Sequence, residues 1–354
     1  MHRGHLDVIM KAKKQCDKVL LVVCGYDDEE RAKEIGLDLS TRYGLVKKFF
    51  KDDEQIIVVK INDGDLGILE NVLSENNWRI WTNEVNRLLT IHMSNVVEKK
   101  LAYNVTYYVA EERYKDDLEN IGQNVCLIER KNPISGTNIR KNPLIYFDQI
   151  VKTFQPYFVK NILIIGTASE GKTTLVNDIS RYYNIPKTVE YGRIYMEEKN
   201  KTDVDLNAND FHQFISGQYD EYVKAINNAS KGLTIQDTDN LVTLMYAKAY
   251  VEDPNIEIGE KGYRALVEHA KSIQKYFEWD HIFVLIPNNP NFVDDGSRYM
   301  KQASMKERKK NMEKLEKLID EFGIDRRKLT YLNGGEFEIN FLTVKEYIDR
   351  LYEY

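Results

Sequence analysis

Residues 166–173 read Gly-Thr-Ala-Ser-Glu-Gly-Lys-Thr and match every position of the phosphate-binding pattern G-x-x-x-x-G-K-[ST]. The apolar run at 162–165 enters this loop and a helical pattern leaves it. The two glycines let successive backbone N–H groups face inward at a helix N-terminus, where they attract anionic oxygens. Lys172 can reach the β- and γ-phosphates, and the Thr173 hydroxyl suits a Mg²⁺ ion. We therefore expect a site for a nucleoside triphosphate and Mg²⁺ here, and not an ordinary glycine-rich turn.

Short β-rich runs alternate with helical patterns on both sides of this loop. The predicted strands lie at 19–24, 56–61, 105–109 and 125–128 before the loop, and at 162–165, 187–190, 233–235, 282–286 and 329–332 around and after it. Such alternation indicates parallel sheets covered by helices. We predict an α/β fold with two doubly wound parallel-sheet domains, at residues 1–145 and 160–354.

Bulk composition excludes several classes of protein. A net charge of −6 over 354 residues argues against a nucleic-acid-binding surface. The three cysteines show neither a disulfide framework nor zinc-site spacing, which suits a reducing cytosol. No apolar run approaches the roughly 18 residues that span a bilayer. We expect a cytoplasmic protein with small-molecule partners and no nucleic-acid or membrane partner; a homo-oligomer stays open.

Acidic side chains follow two of the predicted strands in the second half of the chain. Glu190 lies close to Arg193, and Asp237 and Asp239 follow the strand at 233–235. Ligands of open α/β sheets bind at these carboxyl ends. Glu190 or one aspartate can act as a base towards an attacking hydroxyl, and an aspartate can serve Mg²⁺. The alternatives are a surface ion pair for Glu190 and a helix cap for the aspartates.

A third polar segment follows the strand at 282–286. It contains Phe292, Asp294, Asp295 and Arg298, which together could hold a ribose diol and reach over ATP. The alternative is an ordinary loop rich in turn residues.

Two short motifs in the first half suit anion binding at helix starts. His2 and His5 flank Arg-Gly at the beginning of a helical pattern, while Ser135, Thr137 and Arg140 open another. Each motif alone also fits a plain helix start with capping residues.

The two motifs together resemble the HxGH and SxTxxR motifs of nucleotidyltransferases that join a mononucleotide to the AMP moiety of ATP. The resemblance implies that these histidines and Arg140 stabilise transition-state charge without a protein nucleophile. In that family a strand and a G-x-F-x-P loop precede the first histidine, whereas here Met1 directly precedes His2. We expect the sequence as given to lack that strand, with transferase competence depending on it.

Trp78 and Trp81 resemble the family segment that stacks on the nicotinamide ring, where an indole face suits a cationic pyridinium. The alternative for both residues is an ordinary place in the core.

The segments EYGR, DTD and VDDGxR after the phosphate loop resemble the ribosylnicotinamide kinase domain of the bifunctional NadR-type proteins. The resemblance implies that nicotinamide riboside is phosphorylated by ATP and that the first domain converts the mononucleotide to NAD. Relatives commonly carry tryptophan at the position of Phe292, which implies a weaker pyridinium stack here. Some relatives also carry an N-terminal helix-turn-helix; we expect none here, and no DNA binding.

These arguments define the expected site residues. The catalytic group is Glu190, Asp237, Asp239, Arg298, His2, His5 and Arg140, and the metal ligands are Thr173 and Asp237. The expected ATP-binding residues are Gly166, Ser169, Glu170, Gly171, Lys172, Thr173, Thr174, Ser135 and Thr137. The expected substrate-binding residues are Tyr191, Arg193, Phe292, Asp294, Asp295, Trp78 and Trp81. Two other functions stay open: a P-loop kinase of another nucleoside with a relic transferase domain, and a non-catalytic sensor of ATP or NAD.

Overall fold

The structure is a computed structural model that describes residues 1–68, 74–92, 104–129, 134–252, 258–292 and 303–353. The chain divides into two compact units, Met1–Phe158 and Val159–Tyr354. Both units combine helices with parallel strands, so the predicted α/β class is confirmed. Over the described ranges, no helix has the length and apolar character needed to cross a membrane.

The first unit alternates helices and strands along its length. Its elements are α1 (Arg3–Gln15), β1 (Val19–Gly25), α2 (Glu30–Glu34), α3 (Leu39–Phe49), β2 (Ile56–Asn62), α4 (Glu75–His92), β3 (Tyr107–Val109), α5 (Glu112–Asn120), β4 (Val125–Leu127) and α6 (Gly136–Lys141). The four predicted strands are therefore confirmed, the third and fourth in shorter form.

The strands of the first unit form two parallel pairs. In one pair Val19 lies opposite Ile56, and in the other Tyr107 lies opposite Val125. The sequence predicts one sheet, but among the described residues the two pairs are not hydrogen-bonded to each other. A common apolar core still joins them, because Ile61 of β2 and Tyr107 of β3 belong to one buried cluster with Val85 of α4.

The second unit contains the phosphate-binding loop. Its elements are β5 (Lys160–Gly166), α7 (Lys172–Tyr183), α8 (Tyr191–Lys199), α9 (Ala208–Asn227), β6 (Leu233–Asp237), α10 (Asn240–Val251), α11 (Gly259–Gln274), β7 (His281–Ile286), α12 (Met305–Glu321), β8 (Leu329–Asn333) and α13 (Phe337–Glu353). The strands predicted at 162–165, 233–235, 282–286 and 329–332 are confirmed. The one at 187–190 is reduced to an isolated parallel bridge between Lys187 and Ile235.

A four-stranded parallel sheet in the order β6-β5-β7-β8 carries the second unit. Successive side chains of β5 point to opposite faces, as strand geometry requires. Leu163 and Ile165 pack into the core with α9–α12, and Ile162 and Ile164 pack against α7 and α13. Because helices cover both faces, β5 is apolar over residues 162–165, and its C-terminal end opens directly into the loop at 166–171.

Candidate active sites

Two glycines shape the phosphate-binding loop of the second unit. Gly166 has φ +145° and Gly171 has φ +96°, a region that favours glycine. A Cβ on Gly166 would collide with the Leu285 carbonyl of β7, and one on Gly171 would collide with the ring of Phe337. Gly171 is the N-cap of α7, so the loop presents backbone N–H groups at a helix N-terminus.

Lys172 and Thr173 sit in the first turn of α7 and point into the loop. The Lys172 ammonium donates to the Thr167 carbonyl at 2.7 Å, which holds the amine over the loop. The Thr173 hydroxyl donates to Oδ2 of Asp237, also at 2.7 Å. Thr174 follows and is exposed. The two predicted metal ligands are thus hydrogen-bonded to each other.

Asp237 lies at the end of β6 in a cluster of charges. Burial raises the pKa of its carboxyl, the Glu190 charge raises it further, and Lys172 and the Thr173 hydroxyl oppose both effects. Its Oδ1 atom is buried without a hydrogen-bond partner among the described residues. One carboxylate oxygen beside a threonine hydroxyl, with a second oxygen uncommitted, is a donor set that fits Mg²⁺.

Glu190 is the N-cap residue of α8 and forms an ion pair with Arg193. The Arg193 Nε donates to Glu190 Oε2 at 3.0 Å, and the two side chains are 36% and 26% exposed. The predicted ion-pair alternative therefore describes this contact, but the pair is not remote from the loop, since both residues line one cleft with Lys172.

Asp239 occupies a helix-cap position instead. Its Oδ1 accepts from the backbone N–H of Leu241 at 3.0 Å and of Val242 at 3.4 Å, which caps α10. Burial raises the pKa of this carboxyl to about 7. Thr238, between the two aspartates, has φ +72°. Beyond this turn of the backbone Asp239 caps α10, whereas Asp237 contacts Thr173. The geometry supports the cap interpretation of Asp239 over a base role.

A cleft opens beside the phosphate-binding loop. Lys172, Glu190, Arg193 and Phe292 line it. The sequence predicts Arg193 and Phe292 as substrate-binding residues, Glu190 as a catalytic residue and Lys172 as an ATP-binding residue. The sequence did not identify the rest of its wall, which is Phe211, Phe214, Tyr246, Tyr250, Thr243, Asp203 and Gln218 among others. An aromatic wall with carboxylates at its edge suits a flat, cationic or polar ring.

Two polar residues of this wall, Tyr250 and Gln218, are buried and hydrogen-bonded. Burial raises the pKa of Tyr250 well above its ordinary value, and the Asp203 carboxylate, hydrogen-bonded to it, adds to the rise. Gln218 of α9 is 4% exposed and accepts from the backbone N–H of Tyr191 at 2.9 Å. Its amide also donates to the carbonyls of Val189, Asp237 and Thr238 at 3.3–3.4 Å. Gln218 thereby joins the start of α8 to the end of β6.

Other predicted residues of this site make different contacts or lie outside the described residues. The Glu170 carboxylate is fully buried and paired with Arg308, so only its backbone N–H is left for a phosphate. The Ser169 carbonyl accepts from Asn289 at 2.7 Å. The Tyr191 ring packs against Gly217 and is not part of the cleft wall. Asp294, Asp295 and Arg298 lie outside the described residues.

The two histidines of the first unit form one small structure at the start of α1. His2 is buried as the N-cap, and its backbone N–H donates to His5 Nδ1 at 3.3 Å. The centroids of the two imidazole rings are 3.8 Å apart. A Cβ on Gly4 would lie 3.2 Å from the His2 ring and 4.0 Å from the carbonyl of Ile134. The histidine motif therefore lies next to the residue that precedes Ser135.

The second anion motif forms the short helix α6. The Ser135 hydroxyl is its N-cap and accepts from the backbone N–H of Asn138 at 3.1 Å. Arg140 is exposed and donates to the Thr137 hydroxyl at 3.3 Å. The structure thus brings both motifs to one region of the first unit, while the Ser135 hydroxyl is engaged in capping.

Trp78 and Trp81 are half-buried on α4. Trp78 Nε1 donates to Asp117 at 3.0 Å, and its ring meets Trp81 and Tyr114 edge to face. Both indoles pack against the apolar cluster of the first unit. The core alternative accounts for these contacts, and the incomplete burial leaves part of each indole accessible.

Comparison with known families agrees with this two-unit organisation. A family model described as cytidylyltransferase-like matches residues 1–142, and one described as an AAA domain matches residues 161–333.

Curated relatives and solved structures match both units together. The trifunctional NAD biosynthesis/regulator protein NadR of Escherichia coli (strain K12) is 26% identical over 92% of this chain and 75% of its own length. The protein of the same description from Salmonella typhimurium (strain LT2) is 25% identical over 99% of this chain and 80% of its own length.

Two crystal structures of NadR superpose on nearly the whole chain. The complex with NR is 29% identical with a TM-score of 0.81 and covers 100% of this chain and 93% of that one. The complex with NAD and AMP-PNP is 29% identical with a TM-score of 0.78 and covers 98% and 92%. Over nearly its whole length the chain is therefore similar to NadR proteins, and a cytidylyltransferase-like domain precedes a P-loop kinase-like domain.

Proposed function

We propose that this protein is an enzyme of NAD salvage that uses two separate sites. The second unit transfers the γ-phosphoryl group of ATP to the 5′-hydroxyl of nicotinamide riboside, giving nicotinamide mononucleotide and ADP. The first unit transfers AMP from a second ATP to that mononucleotide, giving NAD and pyrophosphate. The unpaired cysteines Cys16, Cys24 and Cys126 suit a reducing compartment such as the cytoplasm.

The observation that carries the kinase assignment is the cleft beside the phosphate-binding loop. One end of it holds Lys172, Glu190 and Arg193, and its wall is aromatic. The charged end suits the phosphates and the reacting hydroxyl, and the aromatic wall suits the pyridinium ring of nicotinamide riboside. If the phosphoryl acceptor were a second ATP molecule or a protein side chain, the cleft would not need both a charged end and an aromatic wall.

Each residue of the charged end has its own role in phosphoryl transfer. The loop N–H groups and Lys172 hold the phosphates and stabilise charge on the transferring group. Glu190, kept in place by Arg193 at 3.0 Å, accepts the proton of the 5′-hydroxyl as its oxygen bonds to phosphorus and the bond to ADP breaks. Thr173 and Asp237 would hold Mg²⁺, which supplies neutralisation of phosphate charge when bound.

The transferase assignment depends on the motifs gathered at the start of α1. His2, His5 and Arg140 are proposed to stabilise the charge on the departing pyrophosphate, with no covalent intermediate. Its support is the closeness of Gly4 to Ile134, which precedes the serine motif. Trp78 and Trp81 are proposed to contact the nicotinamide ring with the accessible part of their indoles.

Product analysis tests both assignments. The purified protein is incubated with MgATP and nicotinamide riboside, and the products are separated by chromatography. Mononucleotide alone would support the kinase only, and NAD would support both sites. Tight NAD binding without either product would favour a nucleotide sensor, and preferred turnover of a different nucleoside would reassign the acceptor.

The Lys172→Ala substitution separates the two sites. It should abolish mononucleotide formation because the ammonium over the loop is lost, yet leave NAD formation from supplied mononucleotide unchanged. If the substitution stops both reactions in a folded protein, the two-site proposal is wrong.

A further inference from the structure

A buried ion pair lies directly behind the phosphate-binding loop. Arg308 of α12 and Glu170 of the loop are 2% and 0% exposed, and Arg308 Nη1 donates to Glu170 Oε1 at 2.7 Å. This arginine stands 138 positions after its partner and belongs to none of the motifs discussed above. Removing one member of such a pair leaves an uncompensated buried charge.

The same carboxylate fixes the chain that follows β7. Glu170 Oε2 accepts from the backbone N–H of Asn288 at 3.2 Å and of Asn289 at 3.0 Å. Arg308 Nη2 donates to the Asn289 carbonyl at 2.8 Å, and Asn289 Nδ2 donates to the Ser169 carbonyl at 2.7 Å. The loop is therefore tied to the end of β7 by both side chains and backbone.

A third segment closes around this carboxylate. A Cβ on Gly334, directly after β8, would collide with Glu170, so the backbone passes the carboxylate in direct contact. The backbone N–H of Gly335 donates to the Glu170 carbonyl at 3.3 Å. The ends of β7 and β8 and the side of α12 thus all meet at one residue of the loop.

We propose that the ion-paired side chains of Glu170 and Arg308 are a positioning element of the kinase site, which sets the affinity for MgATP although neither side chain touches the nucleotide. The proposal rests on the kinase function proposed above. Glu170 is adjacent to Gly171 and Lys172, so a shift of its carboxylate moves the N–H groups and the ammonium that face the phosphates. Displacing such groups by about 1 Å can lower the reaction rate up to about a hundredfold.

Substitution of Arg308 tests the proposal. Arg308→Met should raise the KM for MgATP about tenfold or more while leaving the KM for nicotinamide riboside within about twofold. Arg308→Lys should recover part of the affinity, because the charge remains but one ammonium cannot reproduce both guanidinium bonds. The matched control is Arg326→Met, which removes an exposed arginine paired with Glu316 and Asp320 and should change neither constant.

Calorimetric titration with AMP-PNP and Mg²⁺ separates this proposal from the kinase function. Weaker binding in Arg308→Met supports positioning even if nicotinamide riboside proves not to be the acceptor. A lowered unfolding temperature with an unchanged KM and Kd for the nucleotide would assign the pair to stability alone and overturn the proposal.

Asn289→Ala covers the case in which both Arg308 variants fail to fold. It removes the bond to the Ser169 carbonyl and leaves the ion pair in place. A raised KM for MgATP in this variant would support the tether between the loop and β7. An unchanged KM, together with unfolded Arg308 variants, would refute it.

Discussion

Replacing Gln218 by leucine should weaken both the stability of the second unit and its kinase activity. The substitution keeps the volume of the side chain but leaves the Tyr191 N–H buried without an acceptor, and removes donors from the carbonyls of Val189, Asp237 and Thr238. The short bond to Tyr191 dominates, since the other three are 3.3–3.4 Å long. An unsatisfied buried group costs about 1–3 kcal/mol.

Thermal unfolding and steady-state kinetics check this prediction together. We expect a loss of about 2 kcal/mol, or about 4–8 °C in the transition that MgATP raises. The kcat should fall about tenfold or more, because the amide joins the helix that begins after Glu190 to the strand that ends at Asp237. Gln213→Leu, at an exposed position of the same helix, is the control. Equal unfolding temperature and equal kcat in Gln218→Leu and the wild type would refute the reasoning.

Three further substitutions test single residues of the second unit. Glu190→Gln should lower kcat about 10²–10⁴-fold with little change in the KM for MgATP, and initial rates within twofold of wild type would exclude Glu190 as the base. Burial raises the pKa of Asp239 from 3.8 to about 7, so ionisation of this carboxyl destabilises the folded wild type as the pH rises from about 4 to 7. Asp239→Asn cannot ionise, and its free energy of unfolding should therefore increase relative to wild type over this range, by at most about 4 kcal/mol. Denaturant titrations at several pH values measure this, and parallel curves would contradict it. Phe292→Trp should lower the KM for nicotinamide riboside about two- to fivefold through a stronger cation–π contact, and an unchanged KM would remove Phe292 from the ring site.

Local patterns account for the parts of the fold that the sequence predicts well. The loop at 166–173 and the strand before it are recognisable because their residue types and spacing follow from backbone geometry alone. Strands covered on both faces are continuous apolar runs, so β5 and β7 stand out in the sequence. The short strands β3 and β4 carry a weaker signal, and the sequence does not reveal that the described strands of the first unit pair two by two.

Contacts between distant residues account for what the sequence misses. Asp237 and Asp239 are equivalent candidates in the sequence, and only the backbone at Thr238, with φ +72°, directs one to the loop and the other to a helix cap. Gln218 and Arg308 act through partners 19 or more positions away, and neither belongs to a local motif. Glu170 fits the loop pattern at a variable position, so the pattern says nothing about where its carboxylate points.

The central position of β5 also bears on how the protein is synthesised. Its partner β6 begins with Leu233, opposite Lys160, and its other partner pairs Ile162 with His281, 119 positions later in the chain. At about 5–20 residues per second, a ribosome needs roughly 6–24 s to make the second partner after the first strand. During that time a strand that is apolar over residues 162–165 has one or both edges unpaired. We expect nascent chains to depend on chaperones until β7 emerges, and pauses in translation between residues 166 and 281 to lower the yield of folded protein.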